Sequence, residues 1–309
     1  MSISVRWLML ACLVAAFTLL GFETVAAQTA PAACSSLPQP PANGYTVESF
    51  KDVRYAEGSA DNLTSLDIYT PDRSGKRPVM IFIHGGGWTF GDKKHDGRKS
   101  AGFTRDGYVY ITINYRLIPA VQFPENITDV AAAIAWTYRN VAEYGGDPNC
   151  LFVMGHSAGA HLAALVSTDE KYLKAESLDL RVLKGTVLLD GAGYDIAKNI
   201  ESANPIERGI YETAFTTDPN VWREASPVNF VQAGVNTPPF LIIYAGARVE
   251  SYEQALLLAE ALNAANVTAD LYHAQTKNHM TLNRDLGRVF DAPYEAILAF
   301  LKAQIKPAS

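Results

Sequence analysis

The stretch that decides the fold is residues 151–163, which read LFVMGHSAGAHLA. Leu151–Met154 form a short apolar strand pattern, and a helical pattern begins at Ala158. Between them, residues 155–159 read GHSAG and fit the G-x-S-x-G motif. In this motif a serine occupies a sharp strand-to-helix turn that needs a small residue two positions away on each side. The context predicts that Ser157 is a nucleophile lifted above the end of a strand, at the N-terminus of a helix.

Strand and helix patterns alternate on both sides of this stretch, which predicts an α/β fold with a mostly parallel central sheet and helices on both faces. Helices are predicted at 127–142, from Ala158, at 252–264 and at 292–305. The predicted strands are 47–55, 65–69, 79–83, 108–114, 151–154, 186–189, 240–244 and 269–272.

Residues 194–236 interrupt this alternation. They contain three X-Pro pairs with short helical pieces between them. We interpret them as a small insertion between two strands, either a lid over the carboxyl edge of the sheet or a plain surface excursion.

A second glycine-rich motif, His84-Gly85-Gly86-Gly87-Trp88, directly follows the strand at 79–83. Consecutive glycines leave backbone N–H groups unobstructed, and acyl transfer needs such donors where negative charge develops on the carbonyl oxygen. The predicted oxyanion hole consists of the N–H groups of Gly86, Gly87 and Ala158. A phosphate-binding loop fits poorly, because no G-K-[ST] follows.

The general base is expected late in the chain. His279 lies just beyond the last predicted strand and is our candidate. His273 ends a strand pattern and His161 lies on the helix that begins at Ala158, so both are predicted to be structural. His156 flanks Ser157 and cannot easily turn toward it. The histidines lack zinc-ligand spacing, so no metal is expected.

The third member of a serine-hydrolase triad is the acid that orients the base, and the sequence determines it least well. It is expected after the strand that ends at Tyr244, but residues 245–250 contain no aspartate. Glu250 is the nearest carboxylate and can play the same part. Asp195, after the preceding strand, is a second option. Glu250 is favoured, although it could instead be a solvated helix cap.

From residue 69 onward the chain resembles the HGGG-type carboxylesterases of the α/β-hydrolase fold. The stretch GHSAGAHLA is especially similar to the branch that contains kynurenine formamidases and bifunctional feruloyl and acetyl-xylan esterases. The resemblance is carried by residues 84–88, 114–117, 123–124, 129–130, 136, 144–148 and 155–159. It implies carboxylesterase or arylformamidase activity without a cofactor. The chain departs from the family in the acid loop, where Arg248 stands near the usual aspartate. Kynurenine formamidases commonly carry tyrosine at the position of Gly87, which favours the esterase.

Three functions are therefore considered. The first is a serine hydrolase that cleaves small-molecule carboxylic esters through an acyl-enzyme on Ser157. The second is an arylformamidase that cleaves N-formyl aromatic amides. The third is a non-catalytic binding protein that kept the fold and lost its acid. The net charge of -6 argues against a nucleic-acid partner. The oligomeric state stays open.

The N-terminus has the pattern of a signal peptide, residues 1–27: Arg6, an apolar run at 7–20 and small residues before Gln28. The alternative is an uncleaved membrane anchor, but the run is short for a membrane span, so cleavage is favoured and no stable membrane insertion is expected after it. The mature protein is expected to be secreted or periplasmic, with a mobile leader at 28–43 and one α/β-hydrolase domain at 44–309. Cys34 and Cys150 remain after cleavage, either as a disulfide or as two unrelated thiols.

Overall fold

The structure is a computed structural model that describes Cys34, Pro41 and residues 44–57, 62–71, 73–246 and 248–305. These residues all belong to one unit by their contacts. The predicted signal peptide lies outside the described residues. So does the predicted leader, apart from Cys34 and Pro41.

The described strands form one eight-stranded sheet in the order β1-β2-β4-β3-β5-β6-β7-β8. Strand β2 pairs antiparallel with both β1 and β4, and the remaining pairs are parallel. All eight predicted strands are present, and the mostly parallel sheet is confirmed. The strands are β1 Glu48–Arg54, β2 Ser65–Thr70, β3 Arg77–Ile83, β4 Val109–Ile113, β5 Gly146–His156, β6 Leu183–Leu189, β7 Phe240–Ala245 and β8 Ala269–Ala274.

Helices cover both faces of the sheet. They are α1 Lys99–Arg105, α2 Glu125–Asn140, α3 Ala158–Thr168, α4 Lys171–Ala175, α5 Ile196–Ser202, α6 Pro205–Phe215, α7 Pro219–Ala225, α8 Val249–Ala264, α9 His279–Asp285 and α10 Ala292–Gln304. Helix α8 begins at Val249, three residues before the predicted start. This difference matters because it puts Glu250 in the first helical turn.

The two cores follow from the two-residue alternation of the strands. Ile81 and Val153 point into the core under α2, α3 and α8. Their neighbours Phe82 and Phe152 point into the opposite core, under α1 and α10. Every residue of β3 is buried, as expected for a strand covered on both faces.

The insertion between β6 and β7 consists of α5, α6, α7 and a short 3-10 turn at 227–230. Asn204 caps α6: its side chain accepts hydrogen bonds from the N–H groups of Ile206 and Glu207, and Pro205 occupies the first helical position. Asp218 and Pro219 begin α7 in the same way. The X-Pro pairs of the sequence are therefore helix starts, and they fix where α6 and α7 begin.

Cys34 and Cys150 form a disulfide, with their Cα atoms 4.8 Å apart. Both residues are buried in the core under α1 and α10. The bond joins a position before the first strand to the middle of β5. The sequence left open whether these cysteines form a disulfide or are two unrelated thiols, and in the structure they form the disulfide.

Candidate active site

Ser157 lies between β5 and α3 with φ 56° and ψ −123°, a strained conformation for a residue with a side chain. The turn closes tightly around it. A Cβ on Gly155 would lie 2.0 Å from the backbone oxygen of Gly159, and a Cβ on Gly159 would lie 2.2 Å from that of Ile83. Both positions therefore require glycine, and the turn has the geometry predicted from the G-x-S-x-G motif.

The glycine-rich loop after β3 packs directly against this turn. A Cβ on Gly85 would come within 2.9 Å of Cβ of Ser157. Gly86 has φ 127° and Gly87 has φ 54°, backbone conformations that favour glycine. In the described part of the chain, the N–H groups of Gly86, Gly87 and Ala158 donate no hydrogen bond. They are free to receive a ligand oxygen.

Trp88, next in the loop, also has a left-handed backbone, with φ 62°. Its side chain is buried, and its indole Nε1 donates to Nδ1 of His161 at 3.3 Å. Nε2 of His161 donates to the backbone oxygen of Ala225 at 2.7 Å. Burial lowers the pKa of His161 to about 4, so the ring is neutral and can accept from Trp88. His161 is thus a packed, hydrogen-bonded residue, as predicted, and it anchors the loop.

His279 is the first residue of α9, which follows β8. Its Nδ1 lies 2.7 Å from Oδ2 of Asp190, and the Asp190 side chain is fully buried. Burial alone would raise the pKa of Asp190. The hydrogen bonds from His279 and from the N–H of Ala245, with the nearby charge of Arg248, instead lower it to about 2. Asp190 is therefore a carboxylate at neutral pH, and it accepts the Nδ1 proton of His279.

The predicted pairing of Glu250 with His279 is not found, and this corrects the expectation from the sequence. Glu250 Oε2 accepts from Nη2 of Arg248 at 2.9 Å. Its Oε1 accepts from Asn199 at 2.7 Å and from the hydroxyl of Tyr211 at 3.0 Å. Because α8 begins at Val249, Glu250 faces the insertion helices, and Arg248 lies between it and His279.

The second option, Asp195, is not at the site either. Its side chain caps α5 by accepting from the N–H of Lys198 at 3.1 Å. Asp190 was missed although a signal was present. It directly follows the predicted strand at 186–189, and that strand pairs with the strand that carries Ser157. The carboxyl ends of parallel strands meet at one edge, so any acid there was a candidate.

Three other histidines near the site, His84, His156 and His273, make hydrogen bonds and ring contacts that support the surrounding structure. Nε2 of His156 donates to the backbone oxygen of His279 at 3.0 Å, and the two rings lie 4.4 Å apart. Burial lowers the pKa of His156 well below its ordinary value. His84 stacks on Tyr115, and burial lowers its pKa to about 4. His273 stacks on Tyr244 and bonds the oxygen of Gly246, as expected for a structural residue.

Ser157, His279 and the three proposed oxyanion donors line one cavity of about 520 Å³. Helix α6 of the insertion contributes Glu207, Ile210 and Tyr211, so the insertion forms part of the cavity wall. By area the cavity surface is mostly apolar, and Trp88, Phe90, Ala192 and Met280 contribute to it. Polar side chains also line the cavity, namely His84, Thr89, Asp92, His95, His156, Arg248, Glu250 and Asn283.

The described residues contain no group of three or more His, Cys, Asp or Glu side chains arranged to hold a metal ion. Over the same part of the chain, no helix combines the length and apolarity that crossing a membrane requires.

This sheet order, with a strained serine after β5 and a histidine after β8, defines the α/β-hydrolase fold. Solved structures agree. Esterase B from Lactobacillus rhamnosis superposes with a TM-score of 0.69 at 24% identity, over 84% of this chain and 85% of that one. A truncated carbohydrate esterase from gut microbiota gives a TM-score of 0.71 at 23% identity, over 86% and 99%. Within this fold, the chain belongs to the BD-FAE family, whose model matches residues 66–262.

Curated relatives include esterases. Esterase LipQ of Mycobacterium tuberculosis is 34% identical over 203 residues, which is 62% of this chain and 47% of the relative. The isoprenylcysteine alpha-carbonyl methylesterase ICME of Arabidopsis thaliana is 28% identical over 259 residues, 77% of this chain and 59% of the relative. The chain spans about half the length of the curated relatives it matches.

Proposed function

We propose that this chain is a serine carboxylic-ester hydrolase in which Ser157, His279 and Asp190 form the catalytic triad. The observation that carries the proposal is the 2.7 Å contact between Nδ1 of His279 and Oδ2 of Asp190, with His279 lining the same cavity as Ser157. Asp190 fixes the tautomer of His279 with the proton on Nδ1, which leaves Nε2 as the base.

The reaction follows from these roles. Nε2 of His279 accepts the hydroxyl proton of Ser157 as Oγ attacks the ester carbonyl carbon. The N–H groups of Gly86, Gly87 and Ala158 stabilise the negative charge that develops on the carbonyl oxygen. The C–O bond to the alcohol breaks, and the alcohol leaves with the proton from Nε2. Water then repeats the sequence on the acyl-enzyme and releases the carboxylic acid.

The curated relatives named as esterases support ester hydrolysis. The cavity surface is mostly apolar by area, which favours small or aromatic esters over highly charged ones. The binding-protein alternative was motivated by the missing acid in residues 245–250. Asp190 supplies that carboxylate, so the motive for the alternative is removed.

The test is covalent labelling with a fluorophosphonate probe combined with turnover of p-nitrophenyl acetate. We expect labelling of the wild type, and a fall in kcat of about 10⁶-fold with loss of labelling in Ser157→Ala. Ser202→Ala, an exposed serine on α5, is the matched control and should behave as wild type. A folded wild type that neither labels nor turns over would overturn the proposal. Faster turnover of an N-formyl aromatic amine would favour the arylformamidase.

We further propose that the chain is exported and that residues 1–27 are removed. The composition of residues 1–27 supports this, and so does the disulfide between Cys34 and Cys150, because disulfides persist in oxidising compartments. Expression with the native N-terminus, followed by fractionation and N-terminal sequencing, tests it. A mature product that starts near Gln28 outside the cytoplasm is expected. A cytoplasmic product that starts at Met1 would contradict it.

A further inference from the structure

Arg248 lies beside the histidine–carboxylate pair and lines the same cavity as His279. Its Nη1 donates to the backbone oxygen of Asp190 at 2.9 Å and lies 3.4 Å from Oδ2 of the same residue. The same Nη1 lies 3.2 Å from Nδ1 of His279. Nδ1 carries the proton that Asp190 accepts, so Nη1 of Arg248 and Nδ1 of His279 are both donors and do not hydrogen-bond to each other. Arg248 thus holds Asp190 and places a positive charge beside the imidazole.

A positive charge at this position opposes the proposed reaction. When His279 takes the proton of Ser157, the imidazole becomes a cation, and a neighbouring guanidinium disfavours that state. Glu250 compensates the positive charge of Arg248. Its carboxylate lies 2.9 Å from Nη2 of Arg248, and its side chain is largely buried, which limits screening by solvent. With Arg248 and Glu250 cancelling, His279 faces the net charge of one carboxylate, Asp190.

Glu250 is itself held by the insertion. The hydroxyl of Tyr211 on α6 and the amide of Asn199 on α5 both donate to its Oε1. The ring of Tyr211 also packs against Trp88 of the glycine-rich loop, with centroids 5.5 Å apart. One side chain of α6 therefore contacts both the loop that carries the proposed oxyanion donors and the carboxylate that balances Arg248.

We propose that Arg248 and Glu250 are a charge-balanced pair of positioning residues for Asp190 and His279, held in place by Tyr211 of the insertion. This rests on the proposed hydrolase function. It assigns Glu250, which makes no hydrogen bond or ion pair with His279, a role that acts through Arg248. It also gives the insertion a part in positioning the triad, beyond its contribution to the cavity wall.

The first measurement compares kcat and KM of Glu250→Gln with those of Glu253→Gln. Glu253 is an exposed residue of the same helix and serves as the matched control. In Glu250→Gln the charge of Arg248 is left uncompensated. We expect kcat to fall by about 10²-fold, the scale of a misplaced or mischarged catalytic group, with KM changed little. Glu253→Gln should match wild type. Equal kcat in the two variants would overturn the proposal.

The double variant Arg248→Met/Glu250→Gln separates charge balance from simple loss of structure. If Glu250 acts by neutralising Arg248, removing both charges restores part of the activity, and the double variant exceeds Glu250→Gln in kcat. A double variant that is less active than both Glu250→Gln and Arg248→Met alone would contradict the charge-balance role. Tyr211→Phe keeps the ring on Trp88 and removes the bond to Glu250, so a smaller fall in kcat is expected.

Labelling by the fluorophosphonate probe keeps the two proposals distinguishable. If wild type is inactive and unlabelled, the hydrolase function fails. If wild type is active, Ser157→Ala is inactive and Glu250→Gln equals wild type, the hydrolase function stands and the positioning role of the Arg248–Glu250 pair fails.

Discussion

Oδ2 of Asp190 lies 2.7 Å from Nδ1 of His279, although 89 positions separate the two residues in the chain. Asp190 directly follows β6, and His279 begins the helix after β8. Strand β7 lies between those two strands in the sheet. The imidazole therefore reaches back over the end of β7, where Arg248 and the start of α8 take the place in which an acid was expected.

Asp190→Asn tests the assignment of the acid. The amide cannot accept the Nδ1 proton as a carboxylate does, so His279 loses its preferred tautomer. By analogy with other serine triads we expect kcat to fall by about 10⁴-fold. The measurement is p-nitrophenyl acetate turnover, with circular dichroism as a check of folding.

Asp195→Asn is the control for this change, because Asp195 caps α5 and is the acid that the sequence offered as a second option. It should retain nearly all activity. If Asp190→Asn and Asp195→Asn had the same kcat, Asp190 would not be the triad acid.

The sequence predicted the sheet and most of the site because those features depend on local pattern. Ser157, Gly86 and Gly87 lie in short motifs whose glycines are required by close backbone contacts, and a motif of this kind can be recognised without knowing the fold. The acid of the triad could not be predicted from a local motif in this way. Which carboxylate meets His279 depends on the path of the chain across three strands, and the loop in which the acid was expected carries Arg248 instead. Glu250 is near His279 in the order of elements but is turned toward α5 and α6 by the early start of α8.

Gly86→Ala tests the glycine-rich loop. The added Cβ would lie 1.9 Å from the backbone oxygen of Phe90, and φ 127° is strained for alanine, so the loop must move. We expect the displaced N–H groups to lose about 2.7–4 kcal/mol of transition-state stabilisation, which appears as a fall in kcat/KM of roughly 10²–10³-fold. Gly209→Ala on α6 has open space around its Cβ and is the control. Unchanged kcat/KM in a folded Gly86→Ala variant would contradict this role of the loop.

The buried His161 predicts a loss of stability on acidification. Its pKa is about 4 in the folded protein because of burial, against about 6.5 in an unfolded chain. Between these values the unfolded chain binds more protons, so the free energy of unfolding falls as pH drops from about 6.5 to 4. His84, with a folded pKa of about 4, contributes in the same window.

Urea unfolding of wild type and His161→Phe from pH 7 to pH 4 measures this effect. At pH 7 the variant should be less stable, because it lacks the hydrogen bonds to Trp88 and Ala225. As the pH falls, wild type loses the free energy linked to His161 and the variant does not, so the gap should narrow. A gap that stays constant over this range would show that His161 does not titrate in this way.

The disulfide between Cys34 and Cys150 predicts that stability depends on redox state. It closes a loop of 116 positions, and removing such a bond typically lowers the free energy of unfolding by about 2–5 kcal/mol. Urea unfolding with and without dithiothreitol should show a lower midpoint under reducing conditions for wild type. Cys34→Ser should match reduced wild type and should not respond to the reductant, because it has no bond to lose. A thiol assay on denatured, unreduced protein decides the underlying point: two free thiols in the chain that begins at Gln28 would mean that the bond does not form, whereas none is expected.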